Sequence, residues 1–257
     1  MPRQARQKSK TGVYHLLVRG INRGDIFHDD EDRQRYIDTM VRITKESDAM
    51  ILGYCLMDNH VHLLLKEGEK GVSNLMHRLS ASYAYYFNWK YERVGHVFQN
   101  RFKSENIEDE NYLKIVIRYI HQNPVKAQMV SRAEVYRWSS CQIYYSGKNY
   151  LPGLINIEFI LGMFSEKKEQ ALTAFRQFSE AEIEDKCLED PEGITMSDKQ
   201  ARQVIEQMLN QRTDKKLHEM NKIERNAVLH ELKEIEGLSI RQISRLTGES
   251  FNIVKRA

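Results

Sequence analysis

Residues 50–66 read Met50-Ile51-Leu52-Gly53-Tyr54-Cys55-Leu56-Met57, then Asp58-Asn59, then His60-Val61-His62-Leu63-Leu64-Leu65-Lys66. Two apolar runs of strand length flank a polar pair, the pattern of a β-hairpin. Side chains alternate faces along a strand, so His60 and His62 share one face and Val61 takes the other. Outward from this hairpin the chain alternates between two periodicities. Val13–Asn22 (VYHLLVRGIN) is strand-like, and Asp29–Glu46 opens on an acidic cap cluster and continues as a helix. Ser73–Tyr91 carries Leu75, Leu79, Tyr83 and Tyr86 at helical spacing, and His96–Ile107 contains a further strand. Asp109–Gln122 is a helix expected to stop before Pro124, because a residue preceding proline is pushed out of the helical region. The order βαββαβ plus an extra helix predicts an α+β fold with a ferredoxin-like (RRM-like) split βαβ sheet.

The second half reads as all helix. Ser197 with Gln200 and Ser239 with Gln242 have capping-box spacing. In Leu238–Ala257, apolar Ile240, Ile243 and Leu246 precede Thr247-Gly248, and Phe251 and Val254 follow. That pattern predicts a helix, a glycine turn and a short basic helix bearing Asn252, Lys255 and Arg256. It suits a DNA-binding helix-turn-helix as well as an ordinary helical hairpin.

The 257 residues include 39 Lys+Arg against 36 Asp+Glu, a net charge of +3 that names no partner. Divided near residue 150, the first part holds 23 basic and 17 acidic residues and the second 16 and 19. Net charges of +6 and -3 result, with the acids crowded into Glu180–Glu192. Four stretches follow: a basic arm at 1–12, an α+β domain at 13–150, a helical and acidic linker at 151–196, and a helical DNA-binding region at 197–257. Arg3, Arg6, Lys8 and Lys10 suit phosphate contacts, or equally a solubilising tail. A hydrophobic content of 41% excludes a wholly disordered chain, and no window is long and apolar enough for a bilayer. Three widely separated cysteines support neither a zinc knuckle nor a disulfide framework. With no secretory signal, a cytoplasmic protein is expected. No GxxxxGK[ST] phosphate loop is present, so no nucleotide cofactor is expected.

Two imidazoles on one strand face suit one divalent ion with open positions for substrate, although such a pair also occurs incidentally. The helix YLKIVIRYIHQNPV supplies company for them. At 100° per residue Tyr119 and Asn123 lie about 40° apart with Tyr112 between them, at the edge of the apolar stripe of Leu113, Val116, Ile117 and Ile120. His121 points about 200° away from Tyr119. Either tyrosine is compatible with plain packing. Tyr83, Tyr85 and Tyr86 face different directions, which leaves at least one exposed. His15, His28, His77, His96, His218 and His230 show no second ligand pattern and read as structural or surface residues.

Three separated motifs, Leu56-Met57-Asp58-Asn59-His60-Val61-His62-Leu63-Leu64, Gly95-His96-Val97-Phe98-Gln99-Asn100-Arg101-Phe102 and Tyr119-Ile120-His121-Gln122-Asn123-Pro124-Val125, resemble the single-tyrosine HUH transposases. The branch they most resemble is that of the REP-associated tyrosine transposases. The likeness runs from about Val13 to Tyr145 and includes Trp138-Ser139-Ser140. It implies that His60 and His62 hold Mg²⁺ or Mn²⁺, with Asn123 completing the site in a position where some relatives carry Gln. It implies Tyr119 as the nucleophile that forms a 5′-phosphotyrosine on single-stranded DNA, and Arg101 and Lys103 as contacts to the DNA backbone. Hairpin-forming DNA and a second copy of the chain are the partners implied. A metal matters chemically because a phenol with pKa about 10 is a poor nucleophile at neutral pH. Two rival readings are a domesticated DNA-binding regulator and a hydrolytic metal phosphoesterase with a spectator tyrosine.

Overall fold

The computed structural model describes residues 7–148, 155–181, 187–188, 196, 198–212, 217, 220–235 and 237–257. The chain divides into two compact units, residues 1–19 with 26–189, and residues 20–25 with 190–257.

In the first unit, β1 (Val13–Arg19), β2 (Met50–Leu56), β3 (His60–Lys66) and β4 (Lys103–Ile107) form one sheet in the order β2-β3-β1-β4. Every pairing is antiparallel. Helix α1 (Asp30–Ser47) joins β1 to β2 and α2 (Gly71–Lys90) joins β3 to β4, the interleaving of a split βαβ arrangement. The hairpin closes at Asp58-Asn59, where Met57 N–H donates to His60 O at 2.9 Å. The register places Arg19 opposite His60, Leu17 opposite His62 and His15 opposite Leu64. On the far side of β1, Glu105 lies opposite His15 and Lys103 opposite Leu17. One sheet face therefore carries His15, Arg19, His60, His62, Lys103 and Glu105 together.

The opposite face, with Leu16, Val18, Val61, Leu63 and Leu65, is fully buried. Right-handed crossovers bring α1 and α2 to that side, and the two helices meet at Tyr36 and Tyr83, ring centroids 5.1 Å apart. Asp29 caps α1 in a reciprocal box with Asp32. Asp32 is fully buried and accepts from His28 N–H, Tyr86 O–H and Tyr91 O–H. Lys90 at the end of α2 supplies the counter-charge, 3.0 Å from Asp32 and 2.8 Å from Asp29. Removing one partner of a buried ion pair leaves the other uncompensated, so Lys90→Met should cost about 3 kcal/mol in urea melts. Adding Asp32→Asn should return part of that loss. Additive losses in the double variant would show that the pair is not coupled.

Helix α3 (Glu110–Lys126) crosses the histidine-bearing face. A Cβ at Gly53 on β2 would collide with the δ-carbon of Ile117, so a residue without a side chain lets helix and strand approach here. Two sequence expectations are corrected. β1 ends at Arg19 rather than Asn22, since Asn22 and Arg23 take left-handed φ values of 53° and 58°. α3 runs through Pro124 to Lys126. Proline at this late position removes one helical hydrogen bond, and its burial against the first unit's core offsets that loss.

Beyond α3, Trp138-Ser139-Ser140 lines the outer edge of β2. Leu56 N–H donates to Trp138 O at 2.9 Å and Ser140 N–H to Tyr54 O at 3.0 Å, which covers an otherwise open edge. Helices α4 (Cys141–Ser146), α5 (Ile157–Leu161) and α6 (Lys168–Glu180) add Tyr144, Ile160 and Phe175 to the same core.

The second unit has its own core of Ala201, Ile205, Val228, Leu229, Leu232, Ile243 and Val254. These residues come from α7 (Asp198–Arg212), α8 (Lys222–Glu234), α9 (Ile240–Thr247) and α10 (Phe251–Arg256). Ser239 and Gln242 form the expected capping box on α9, whereas Ser197 lies outside the described residues. Gly248, at φ 77°, ends α9, and Ser250 caps α10. The helix, glycine turn and short basic helix are present as the sequence predicts. Most of the acidic stretch 180–192 lies outside the described residues. No helix among the described residues is long and apolar enough to cross a membrane.

Candidate active site

His60 and His62 stand with ring centroids 5.0 Å apart. His60 Nδ1 lies 2.7 Å from Asn59 Oδ1. An amide oxygen only accepts, so Nδ1 carries the proton and Nε2 keeps its lone pair. His62 Nδ1 lies 2.9 Å from His15 Nε2, and His15 Nδ1 is 3.5 Å from Glu105 Oε2. With the His15 Nδ1 proton facing the carboxylate, His15 Nε2 is the acceptor and His62 Nδ1 donates to it. The second histidine of the pair is thus also left with an unprotonated Nε2.

Burial, with Arg19 nearby, lowers the His60 pKa to about 3. Burial, and then the nearness of His60, His15 and Arg19, push His62 well below its ordinary value. Burial also lowers His15, against the pull of Glu105. Burial opposes ionisation of Glu105, but the neighbouring His15 and Tyr112 side chains win and hold the carboxyl below its usual range. Burial followed by that same contact pushes the Tyr112 phenol up.

Asp109 caps α3 by accepting from Tyr112 N–H at 2.8 Å. Tyr119, 3% exposed, brings its ring to 5.6 Å from His62 and 6.0 Å from His15, both edge-on. Lys126 Nζ sits 4.8 Å from the Tyr119 ring centroid. Asn123 is half-buried and its Nδ2 donates to Tyr119 O at 2.9 Å, which leaves the amide oxygen to act as a ligand. His121 turns away to Ser140 Oγ at 2.7 Å and lies tilted against the Tyr144 ring, and burial lowers its pKa to about 3.

Among the described residues no three His, Cys, Asp or Glu side chains form a group able to hold a metal ion. The donor set is therefore smaller: two neutral imidazoles with free Nε2 lone pairs, one steadied by a histidine–carboxylate pair behind it. That chemistry fits a divalent ion whose other positions are filled by an amide oxygen and by substrate.

The structure brings His60, His62 and Tyr119 together and places Asn123 one helical turn beyond Tyr119. Lys103 shares the histidine face two strands from His62, about 10 Å away by strand spacing. Arg101, Lys8 and Lys10 are exposed in the first unit. Asn252, Lys255 and Arg256 are exposed on α10 in the second unit. Arg3 and Arg6 lie outside the described residues.

Four residues of this site were not singled out for it from the sequence: His15, Arg19, Glu105 and Lys126. Of the two readings the sequence left for His15, structural or surface, burial against His62 removes the surface one. Its alternation with Leu17 and Arg19 was visible, but cross-strand register was not.

Residues 8–123 match the family model of IS200-like transposases. No curated protein matches the chain. Among solved structures, a REP-associated tyrosine transposase bound to a REP hairpin aligns with a TM-score of 0.49 and 17% identity, covering 61% of this chain and 93% of that one. A protein of Deinococcus radiodurans R1 named as a candidate transposase aligns with a TM-score of 0.33 and 17% identity, covering 46% of this chain and 95% of that one.

Proposed function

We propose that the first unit is a metal-assisted, single-tyrosine HUH endonuclease and strand transferase on a ferredoxin-like scaffold, acting on single-stranded DNA at hairpin-associated sites. The observation that carries this reading is the Tyr119 ring 5.6 Å from His62. The IS200-like match supports it, since its span includes His60, His62, Tyr119 and Asn123.

In the reaction, the Tyr119 phenol loses its proton and its oxygen bonds to phosphorus. The bond from phosphorus to the 3′ oxygen breaks, and that oxygen takes up a proton. The products are a 5′-phosphotyrosine and a free 3′-hydroxyl, and attack by a 3′-hydroxyl on the phosphotyrosine reverses the exchange and rejoins strands. Bond energy is conserved, so no nucleotide is consumed. His60, His62 and Asn123 would hold Mg²⁺ or Mn²⁺, which supplies Lewis-acid polarisation of the scissile phosphate. Burial keeps the two imidazoles neutral and ready to ligate, while the packing of α3 holds the phenol against them. Lys126 favours the developing phenolate, and Lys103 and Arg101 suit the backbone of the bound strand. Asn252, Lys255 and Arg256, with the basic arm, would add DNA contacts of their own.

A hairpin-bearing single strand labelled at its 3′ end, incubated with the full chain and Mn²⁺, should give a labelled protein band on a denaturing gel. Binding without cleavage would favour a DNA-binding regulator, and cleavage without the adduct a hydrolytic phosphoesterase. Lys126→Met should slow adduct formation about tenfold with Mn²⁺ affinity unchanged, a loss of about 1.4 kcal/mol in the barrier. An unaltered rate would remove Lys126 from the mechanism.

A further inference from the structure

Behind the histidine pair stands a second line of polar groups, one of them fully buried, that the proposed reaction does not use. His15 is fully buried, yet it is polar and sits in the middle of a strand. Its Nε2 meets His62 Nδ1 at 2.9 Å and its Nδ1 faces Glu105 at 3.5 Å. Glu105 accepts from Leu188 N–H at 3.2 Å, and the Tyr112 phenol lies near enough to the same carboxylate for each to shift the other's ionisation. Tyr112 precedes Tyr119 by two helical turns, so both project from nearly the same side of α3. A line of polar groups thus runs from α3, through the edge strand β4 and the central strand β1, to β3, with the step from Glu105 to His15 a 3.5 Å charge contact and that from His15 to His62 a hydrogen bond.

A hydrophobic residue at position 15 would pack without the cost of burying an imidazole, so simple core filling does not account for this choice. The ring lies where a partner behind His62 is needed. A ligating imidazole is aimed, and its tautomer set, by whatever receives its other N–H. We propose that Tyr112, Glu105 and His15 are positioning residues, which hold His62 with Nε2 toward the metal and fix α3 in register with it. The inference rests on the reading of His62 as a metal ligand. Its second half requires only the metal-free protein.

The test uses the full chain with His15→Phe, His15→Gln and Glu105→Gln, each checked for folding by its melting curve. Nitrogen NMR of the imidazoles without metal should show His62 protonated at Nδ1 in the wild type and divided between tautomers in His15→Phe. His15→Gln should restore the wild-type tautomer, because its amide oxygen can accept from His62 Nδ1. Titration with Mn²⁺, followed by electron paramagnetic resonance, should show affinity weakened about tenfold by Glu105→Gln and up to about 100-fold by His15→Phe. His15→Gln should fall between Phe and wild type. Folded Glu105→Gln and His15→Phe proteins with wild-type tautomer and wild-type affinity would overturn the relay. Should His15→Phe fail to fold, the near-isosteric Glu105→Gln decides. A wild-type protein that binds no Mn²⁺ would sink the metal reading, while the metal-free spectrum would still decide the relay.

Discussion

Tyr119→Phe should bind single-stranded DNA and Mn²⁺ as the wild type does and form no covalent adduct at all. The substitution removes one oxygen and keeps the ring, whose edge-on contacts to His15 and His62 hold the helix in place. Stability should therefore change by no more than about 1 kcal/mol, the scale of a single hydrogen bond. Catalysis should fall by roughly 10⁴-fold or more, the loss seen when a nucleophile that works as part of a unit is deleted. Tyr112→Phe removes a phenol from almost the same side of α3 and should still form the adduct, with Mn²⁺ affinity lowered through Glu105. A labelled adduct that survives Tyr119→Phe would move the nucleophile elsewhere and undo the proposed function. Adduct lost together with Mn²⁺ binding would instead mean that the phenol shapes the histidine site.

Acid should unfold the first unit well before its carboxylates titrate. His121 is wholly buried and its folded pKa is lowered to about 3, whereas an unfolded histidine titrates near 6.5. Between these values the unfolded chain binds a proton that the folded chain refuses. The stability held by neutral His121 is therefore complete above about pH 7 and is lost as pH falls from 6.5 toward 3. At pH 5 the loss from this residue is about 2 kcal/mol, roughly 4–8 °C in Tm for a unit of this size. His60 is lowered to about 3, and His15 and His62 are shifted in the same direction, so all four steepen one slope. Thermal melts from pH 4 to 8 should show it, and His121→Gln should flatten part of it. Mn²⁺ should raise Tm most at the upper end of the range, since a metal competes with protons for the same nitrogens. A Tm constant between pH 7 and 5 would mean that these imidazoles are reached by water.

The hairpin and the alternation around it were legible because each signal is local. Two strand-length runs enclose Asp58-Asn59, α1 starts at a reciprocal Asp29–Asp32 box, and Ser239 caps α9. The strand order then follows from the chirality of the connections. His60, His62 and Tyr119 were legible as residue types on predictable faces. His15 and Glu105 were not, because their value depends on register across three strands, which no local pattern encodes. Lys126 was lost to the expectation that α3 ends before Pro124. The proline rule describes an isolated helix, and here burial of Pro124 itself overrides it.

The missing side chain at Gly53 can be regarded as a spacer of zero thickness. Ile117 lies two residues before Tyr119 on α3, so any atom inserted between β2 and this turn lifts the phenol from the imidazoles. Alanine and then valine at position 53 would act as shims of increasing thickness. The gap between the Tyr119 ring and the histidines is thereby adjustable from a residue that touches neither.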